Sequence, residues 1–227
     1  MTKKVGKTSQ DPAQVFDILG RRYTLPLTEG GSPTKERILM TSTVLFARKG
    51  YAAVSMRDIA AATGIKPSSL YNHFESKEKL WAATLEHLKK LWLIFFDHLT
   101  QLLARAKTFE EALGHMYNEP KRLVNTFSNY GFSLIMLEQV HDPLAAETFD
   151  FFMSRSLKAV QGCFDDCVAR GLVPAFDTHS AALLLLHNIF MGIATEVQDY
   201  EGRRTLYKPI EMFAGMERFF LKLLDRK

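Results

Sequence analysis

Cysteine is nearly absent from this chain: Cys163 and Cys167 are the two thiols in 227 residues, four apart on a segment that reads as a helix. So few thiols exclude a disulfide-stapled secreted scaffold, and a pair without a third and fourth ligand nearby makes a poor zinc site. They are expected to be buried structural thiols in a reduced, cytoplasmic protein, a redox or metal-sensing role being the alternative. Long apolar runs are missing too. Ser180–Thr195 is uncharged, but it is interrupted by His187 and Asn188 and falls short of the roughly 20 residues that span a bilayer. No apolar stretch follows Lys3, Lys4 and Lys7, so neither a secretory leader nor a membrane partner is expected. A Ser/His/Asp triad, a glycine-rich phosphate loop and a paired-carboxylate motif are all lacking, which argues against an enzyme, a cofactor or catalytic residues. His141, His179 and His187 lie far apart and lack metal-ligand spacing, so no metal is expected.

Sustained period-two alternation with β-branched residues is not evident, whereas helical periodicity recurs throughout, predicting an all-α protein. Charge is uneven: residues 1–90 carry 15 Lys and Arg against 8 Asp and Glu, residues 91–227 carry 14 against 17. A basic first part on a mildly acidic remainder suits a polyanion-binding module joined to something else. Three parts are expected: an extension over 1–32, partly disordered; a three-helix unit with a helix-turn-helix over 33–80; and a larger helical bundle over 81–227. Within the extension, Asp11 to Gly20 reads as a short helix, with Asp11 as N-cap, Pro12 at the first position and Gly20 as stop.

The first strong helix begins near Ser32-Pro33 and runs to about Lys49, with Ile38, Leu39, Ser42, Leu45 and Phe46 on one face. Ser55 then caps a short helix, with Asp58 three residues on completing a capping box. Gly64 supplies a turn that needs positive φ. Pro67 opens the next short helix, and Leu70 and Phe74 anchor it to the other two. Ser76 starts a long fourth helix whose stripe, Leu80, Thr84, Leu88, Leu91, Phe95, Leu99 and Leu102, forms a rod from the three-helix unit into the bundle. Further helices are expected at about Phe109–Tyr117, Lys121–His141, Leu144–Arg170, Thr178–Tyr200 and Pro209–Asp225, with a break at Glu119-Pro120.

The run Gly64-Ile65-Lys66-Pro67-Ser68-Ser69-Leu70-Tyr71-Asn72-His73-Phe74, with Ser76-Lys77 after it and Phe46, Gly50 and Ile59-Ala60 before it, resembles the TetR family of bacterial transcriptional regulators. The close match covers about residues 34–80. The resemblance implies a homodimer that binds a palindromic operator on double-stranded DNA, usually as a repressor, and lets go when a small molecule enters the C-terminal domain. An effector-independent regulator or activator is the alternative, and an enzyme or carrier using the motif as scaffold lacks any supporting motif. Carried over residue by residue, the resemblance gives Tyr71, Lys77 and Ser69 phosphate oxygens to hold, and places His73 near the DNA backbone. Arg57 then reaches a guanine edge, Asn72 an adenine, and Lys66 a guanine or phosphate, with Ser68 on the same exposed side. The extension departs from the family. Lys3, Lys4, Lys7, Arg21 and Arg22 either form a minor-groove arm or belong to a solvated tail or added helix.

The bundle is rich in aromatic and methionine side chains between Tyr117 and Met153. The resemblance places an effector pocket there, and few charged residues fall on the predicted inner faces, so a largely apolar ligand is expected. Its candidate lining is Trp92, Phe95, Phe127, Tyr130, Met136, Phe152 and His187. For the homodimer the resemblance points to the last two helices, with Leu183, Leu186 and Phe190 on one stripe and Phe213, Met216 and Phe220 on the other.

Overall fold

The computed structural model describes residues 14–18, 21–25, 32–123, 127–200, 215–216 and 218–222, backbone alone for the two strands and for residues 119–128 and 194–200. Strands β1 (Gln14–Ile18) and β2 (Arg21–Leu25) are followed by helices α1 (Pro33–Lys49), α2 (Met56–Thr63), α3 (Pro67–His73), α4 (Lys77–Arg105), α5 (Phe109–Leu123), α6 (Phe127–Glu138), α7 (Pro143–Ala169) and α8 (Thr178–Tyr200). Residues 215–216 and 218–222 are helical as well, within the last expected helix. The body is a helical protein: a three-helix unit, α1 to α3, set on a larger bundle built around α4 and α7.

The extension corrects one expectation. Where Asp11 to Gly20 reads as a helix, β1 pairs antiparallel with β2, Ile18 facing Arg21 and Gln14 facing Leu25. The physical reason is in the chain: Val15 pairs with Thr24 and Phe16 with Tyr23, and a two-residue connection that contains glycine joins the strands. β-Branched and aromatic residues flanking a two-residue glycine connection favour a hairpin over a ten-residue helix. β1 lies beside α1. Lys3, Lys4 and Lys7 lie outside the described residues.

Each helix boundary in the first unit has a local cause. Ser32 accepts from the Lys35 N–H at 3.2 Å, and Pro33 occupies the first turn of α1, where its missing N–H costs nothing. α1 is buried nearly all round from Ile38 to Phe46, because it is packed between α2 on one side and α4 and α6 on the other. Met40 and Val44 therefore join the expected stripe as core. A buried Glu36–His87 ion pair links α1 to α4. α4 runs for 29 residues, about 43 Å at 1.5 Å per residue, and buries Trp81, Leu85, Trp92, Phe96 and Leu103 beyond the expected stripe.

Two further boundaries differ from expectation. α5 continues through Pro120 to Leu123 instead of stopping before it. A proline there forfeits one backbone hydrogen bond, and the helix outlasts that loss by a single turn. α6 begins at Phe127 rather than near Lys121, so it is a 12-residue helix spanning the space between the cavity described below and α1. α7 and α8 follow expectation closely, Asp142 accepting from the Ala145 N–H at 2.7 Å to cap α7.

Candidate functional site

The α2–turn–α3 unit is fixed by short-range chemistry. The Ser55 hydroxyl accepts from the Asp58 N–H at 3.2 Å, and the Asp58 carboxylate accepts from the Ser55 N–H at 2.8 Å, a complete capping box. Those hydrogen bonds, the Ser55 hydroxyl first and its N–H second, hold the Asp58 carboxyl below its ordinary range. At the other end Gly64 sits at φ 73°, ψ 29°. Its N–H donates to the Ala61 carbonyl at 3.2 Å and the Ile65 N–H reaches the Ala60 carbonyl at 3.0 Å. These are the two reverse bonds of a Schellman ending, which a left-handed residue makes possible. Lys66 is extended, as a residue before proline prefers, and Pro67 begins α3. Leu70 and Phe74 are buried in the three-helix core.

With those two anchors inside, the polar side chains of α3 face outward. Lys66, Ser68, Tyr71, Asn72 and His73 are exposed, as is Arg57 on α2, and Ser69 is half-buried. Tyr71 is 51% exposed, far more than a packed tyrosine in a small core. Six of the expected DNA-facing residues are thus exposed on α2, α3 and the turn between them. Lys77 differs in kind. Its ammonium lies 4.3 Å from the Tyr51 ring centroid and donates to the Ala52 carbonyl at 3.2 Å, tying the start of α4 to the α1–α2 connection. An ammonium has three donors, so this contact leaves others for a phosphate.

In the bundle, a narrow apolar cavity of about 50 Å³ lies between α4, α6, α7 and α8. That is room for a few waters and no more. Phe95 and Phe152 line it, together with Phe96, Phe132, Phe190 and Leu186. Trp92 stands behind the lining, its ring 4.5 Å from that of Phe152. Tyr130 and Met136 do not line it, and the Phe127 side chain lies outside the described residues. His187 is also misplaced by the sequence reading: it is exposed, on the outer face of α8, because helical spacing puts it opposite Leu185 and Ile189. The residue missed is Asn129, 3% exposed on the cavity wall. Its signal was present, since Asn129 and Ser133 sit one turn apart in an otherwise apolar helix.

The expected dimer stripes are divided by the structure. Leu186 and Phe220 are 5% and 1% exposed inside the protomer, and Phe190 packs against Phe132, so these three serve the protomer's own core. Leu183, Leu184, Met191 and Phe219 are apolar side chains left outward on these helices, at 46%, 56%, 40% and 51%. Met216 is half-buried and Phe213 lies outside the described residues. Cys163 and Cys167 are buried, and burial pushes both thiols up, Cys163 far up, so neither is a ready thiolate. Among the described residues no helix is long and apolar enough to cross a membrane.

A capped helix, a glycine turn and a second helix with its polar side outward define a helix-turn-helix protein of the all-helical kind. Residues 38–84 match the family of bacterial regulatory proteins described as the tetR family. That match covers the helix-turn-helix and the start of α4. Relatives of this chain include an uncharacterized HTH-type transcriptional regulator, YerO, of Bacillus subtilis, 47% identical over 53 residues that make up 23% of this chain and 18% of that protein. The HTH-type transcriptional repressor KstR2 of Rhodococcus jostii is 45% identical over 53 residues, 23% of this chain and 26% of that protein. The match thus spans about a fifth to a quarter of these relatives. Beyond the domain the likeness is one of fold. A putative transcriptional regulator from Saccharomonospora viridis, solved in complex with choline, superposes with TM-score 0.68 at 21% identity over 86% of this chain and 98% of that one. The regulator FadR of Bacillus subtilis, solved with stearoyl-CoA, superposes with TM-score 0.58 at 15% identity over 81% and 96%.

Proposed function

We propose that this chain is a DNA-binding transcriptional regulator, a repressor that holds a palindromic operator as a homodimer and is released by a small, largely apolar molecule. The observation that carries the reading is the α3 surface. Exposed Arg57, Lys66, Ser68, Tyr71, Asn72 and His73, with half-buried Ser69 among them, stand on a unit whose caps and buried Leu70 leave it little freedom. In this reading Tyr71, Ser69, His73 and Lys77 hold phosphates, while Arg57, Asn72, Lys66 and Ser68 face the major groove. One such helix covers only a few base pairs, so two copies spaced by about one DNA turn, near 34 Å, are needed for a specific site. The outward Leu183 and Leu184 of α8, with Phe219, supply an apolar face for that pairing.

Release follows from how α6 is placed. One end of α6 carries Asn129 and Phe132 on the cavity wall; the other ends at Glu138, whose carboxylate accepts from the Tyr51 N–H at 2.8 Å. Tyr51 in turn packs on Phe46 and Trp81 and carries the Lys77 ammonium. A ligand larger than the cavity must displace its walls, and displacement of α6 or α4 reaches the α1–α2 connection and the start of α4 through those contacts. The solved relatives in fold hold ligands as different as choline and stearoyl-CoA, which supports a bundle able to accept small molecules.

A mobility shift with the DNA flanking this gene tests the reading, with no binding at moderate salt as the result that sinks it. Tyr71→Phe and Lys77→Ala are expected to weaken binding to all sequences alike, Lys77→Ala also flattening the salt slope by about one unit. Arg57→Ala is expected to relax preference at one base pair, worth about 1–3 kcal/mol.

A further inference from the structure

The cavity wall carries one side-chain donor with nothing to donate to. Asn129 is 3% exposed, and its Nδ2 has no partner among the described residues. One turn on, the buried Ser133 hydroxyl is also unpartnered. The hydroxyl that lines the wall, Ser156, already gives its hydrogen to the Phe152 carbonyl at 2.8 Å. The remaining surface is apolar, dominated by phenylalanine rings: Phe132 and Phe190 stack at 4.8 Å, and Phe152 lies 5.2 Å from Phe132 and 5.4 Å from Phe190. A buried amide without a partner is destabilising, a penalty that an occupant with the right group removes. Among the described residues no Asp, Glu, Lys, Arg or His lines the cavity.

We propose that the cavity takes an uncharged, ring-bearing apolar molecule with one hydrogen-bond acceptor, a carbonyl oxygen set against Asn129 Nδ2. This rests on the effector reading above and gives it a ligand class. The phenylalanine faces alone would suit a quaternary ammonium. The Asn129 donor decides against it, because it presents positive partial charge inward and no carboxylate balances a cation. An anion would meet one neutral donor and otherwise hydrocarbon, which does not repay its desolvation. Half-buried Phe95 and Phe190 are the least enclosed rings of the wall, and in this proposal they swing aside as the ligand enters.

Four probes of similar size separate these chemistries by titration calorimetry on the full chain: acetophenone, cumene, benzoate and phenyltrimethylammonium. Acetophenone is expected to bind about tenfold or more tightly than cumene, its near-isostere without an acceptor, and both ions more weakly still. Asn129→Leu is expected to bring acetophenone and cumene to within about twofold of each other. Should that variant fold poorly, the Asn129 side-chain amide resonances of the unaltered protein are expected to move with acetophenone and stay with cumene. Cumene equal to acetophenone, either ion binding tightest, no probe binding, or an unmoved amide overturns the proposal. DNA release is read separately: acetophenone that binds as described yet leaves the operator complex intact keeps this ligand class and refutes the effector reading.

Discussion

The helix-turn-helix and the cavity region are both helical, yet they are held by different kinds of interaction. Between Ser55 and Phe74 nearly every boundary is set by a residue three to five positions away: the Ser55–Asp58 box, the Gly64 ending, Lys66 before Pro67. Around the cavity the walls come from α4, α6, α7 and α8, as far apart in sequence as Phe95 and Ile193, and a buried donor stays unmatched. A reader that must present fixed donors to DNA gains from local, redundant constraint. A chamber that must open gains from contacts that can be remade. Substitutions in the two regions are therefore expected to differ in kind as well as in size.

The largest effect is expected from Leu70→Ala. Leu70 is wholly buried and is the main anchor of a seven-residue helix, so truncation is expected to cost about 2–5 kcal/mol and to abolish DNA binding, measured by thermal melting and mobility shift. A loss below about 1 kcal/mol would mean that α3 is not held by its core contact. Gly64→Ala comes next. There is open space around an added Cβ, so the expected cost, about 1–2 kcal/mol, arises only from left-handed backbone in a residue with a side chain. Chemical denaturation checks it, and a neutral result would show that the turn is free to change shape.

Ser55→Ala is expected to cost about 1 kcal/mol by removing half of the capping box. The box also has a pH signature. Asp58 has its carboxyl lowered in the folded protein, chiefly by the Ser55 hydroxyl, so its contribution is present above the ordinary carboxylate range. It is lost as pH falls through the depressed folded value. The stability difference between Ser55→Ala and the unaltered protein should therefore shrink below about pH 4, and a constant difference would show that the carboxylate takes no part.

The same contrast explains what could be read from the chain itself. Ser55, Asp58, Gly64 and Pro67 announce their structure because each acts within one turn, and the polar residues of α3 follow from anchoring Leu70 and Phe74 inward. Their assignment to particular phosphates or bases stays a proposal. The bundle is legible as helices but not as faces. Leu186, Phe190 and Phe220 sit on stripes that periodicity cannot allot to a protomer core or a partner, and the structure puts them in the core. His187 is on the outside for the same reason. The β1–β2 hairpin was missed because Asp11 and Pro12 imitate a helix start, while the pairing of Val15 with Thr24 and Phe16 with Tyr23 lies ahead of them. Asn129 was missed because a single amide in an apolar helix acquires meaning only when its donor is found buried and unmatched.

The smallest expected effect on stability joins the two regions. Glu138→Gln leaves an oxygen to accept from the Tyr51 N–H and removes only the charge that strengthens the bond, a loss under about 1 kcal/mol for this half-buried contact. Glu138→Leu removes the acceptor altogether. If α6 carries the cavity's state to α1 through this bond, operator affinity without ligand should change little in Glu138→Gln. The factor by which a cavity ligand weakens DNA binding should shrink in Glu138→Gln and shrink further in Glu138→Leu. Equal ligand-induced release in all three proteins would remove α6 from the coupling. It would leave α4, which runs from the Lys77 contact at the helix-turn-helix to Phe95, Phe96 and Leu99 on the cavity wall, as the element joining the two sites.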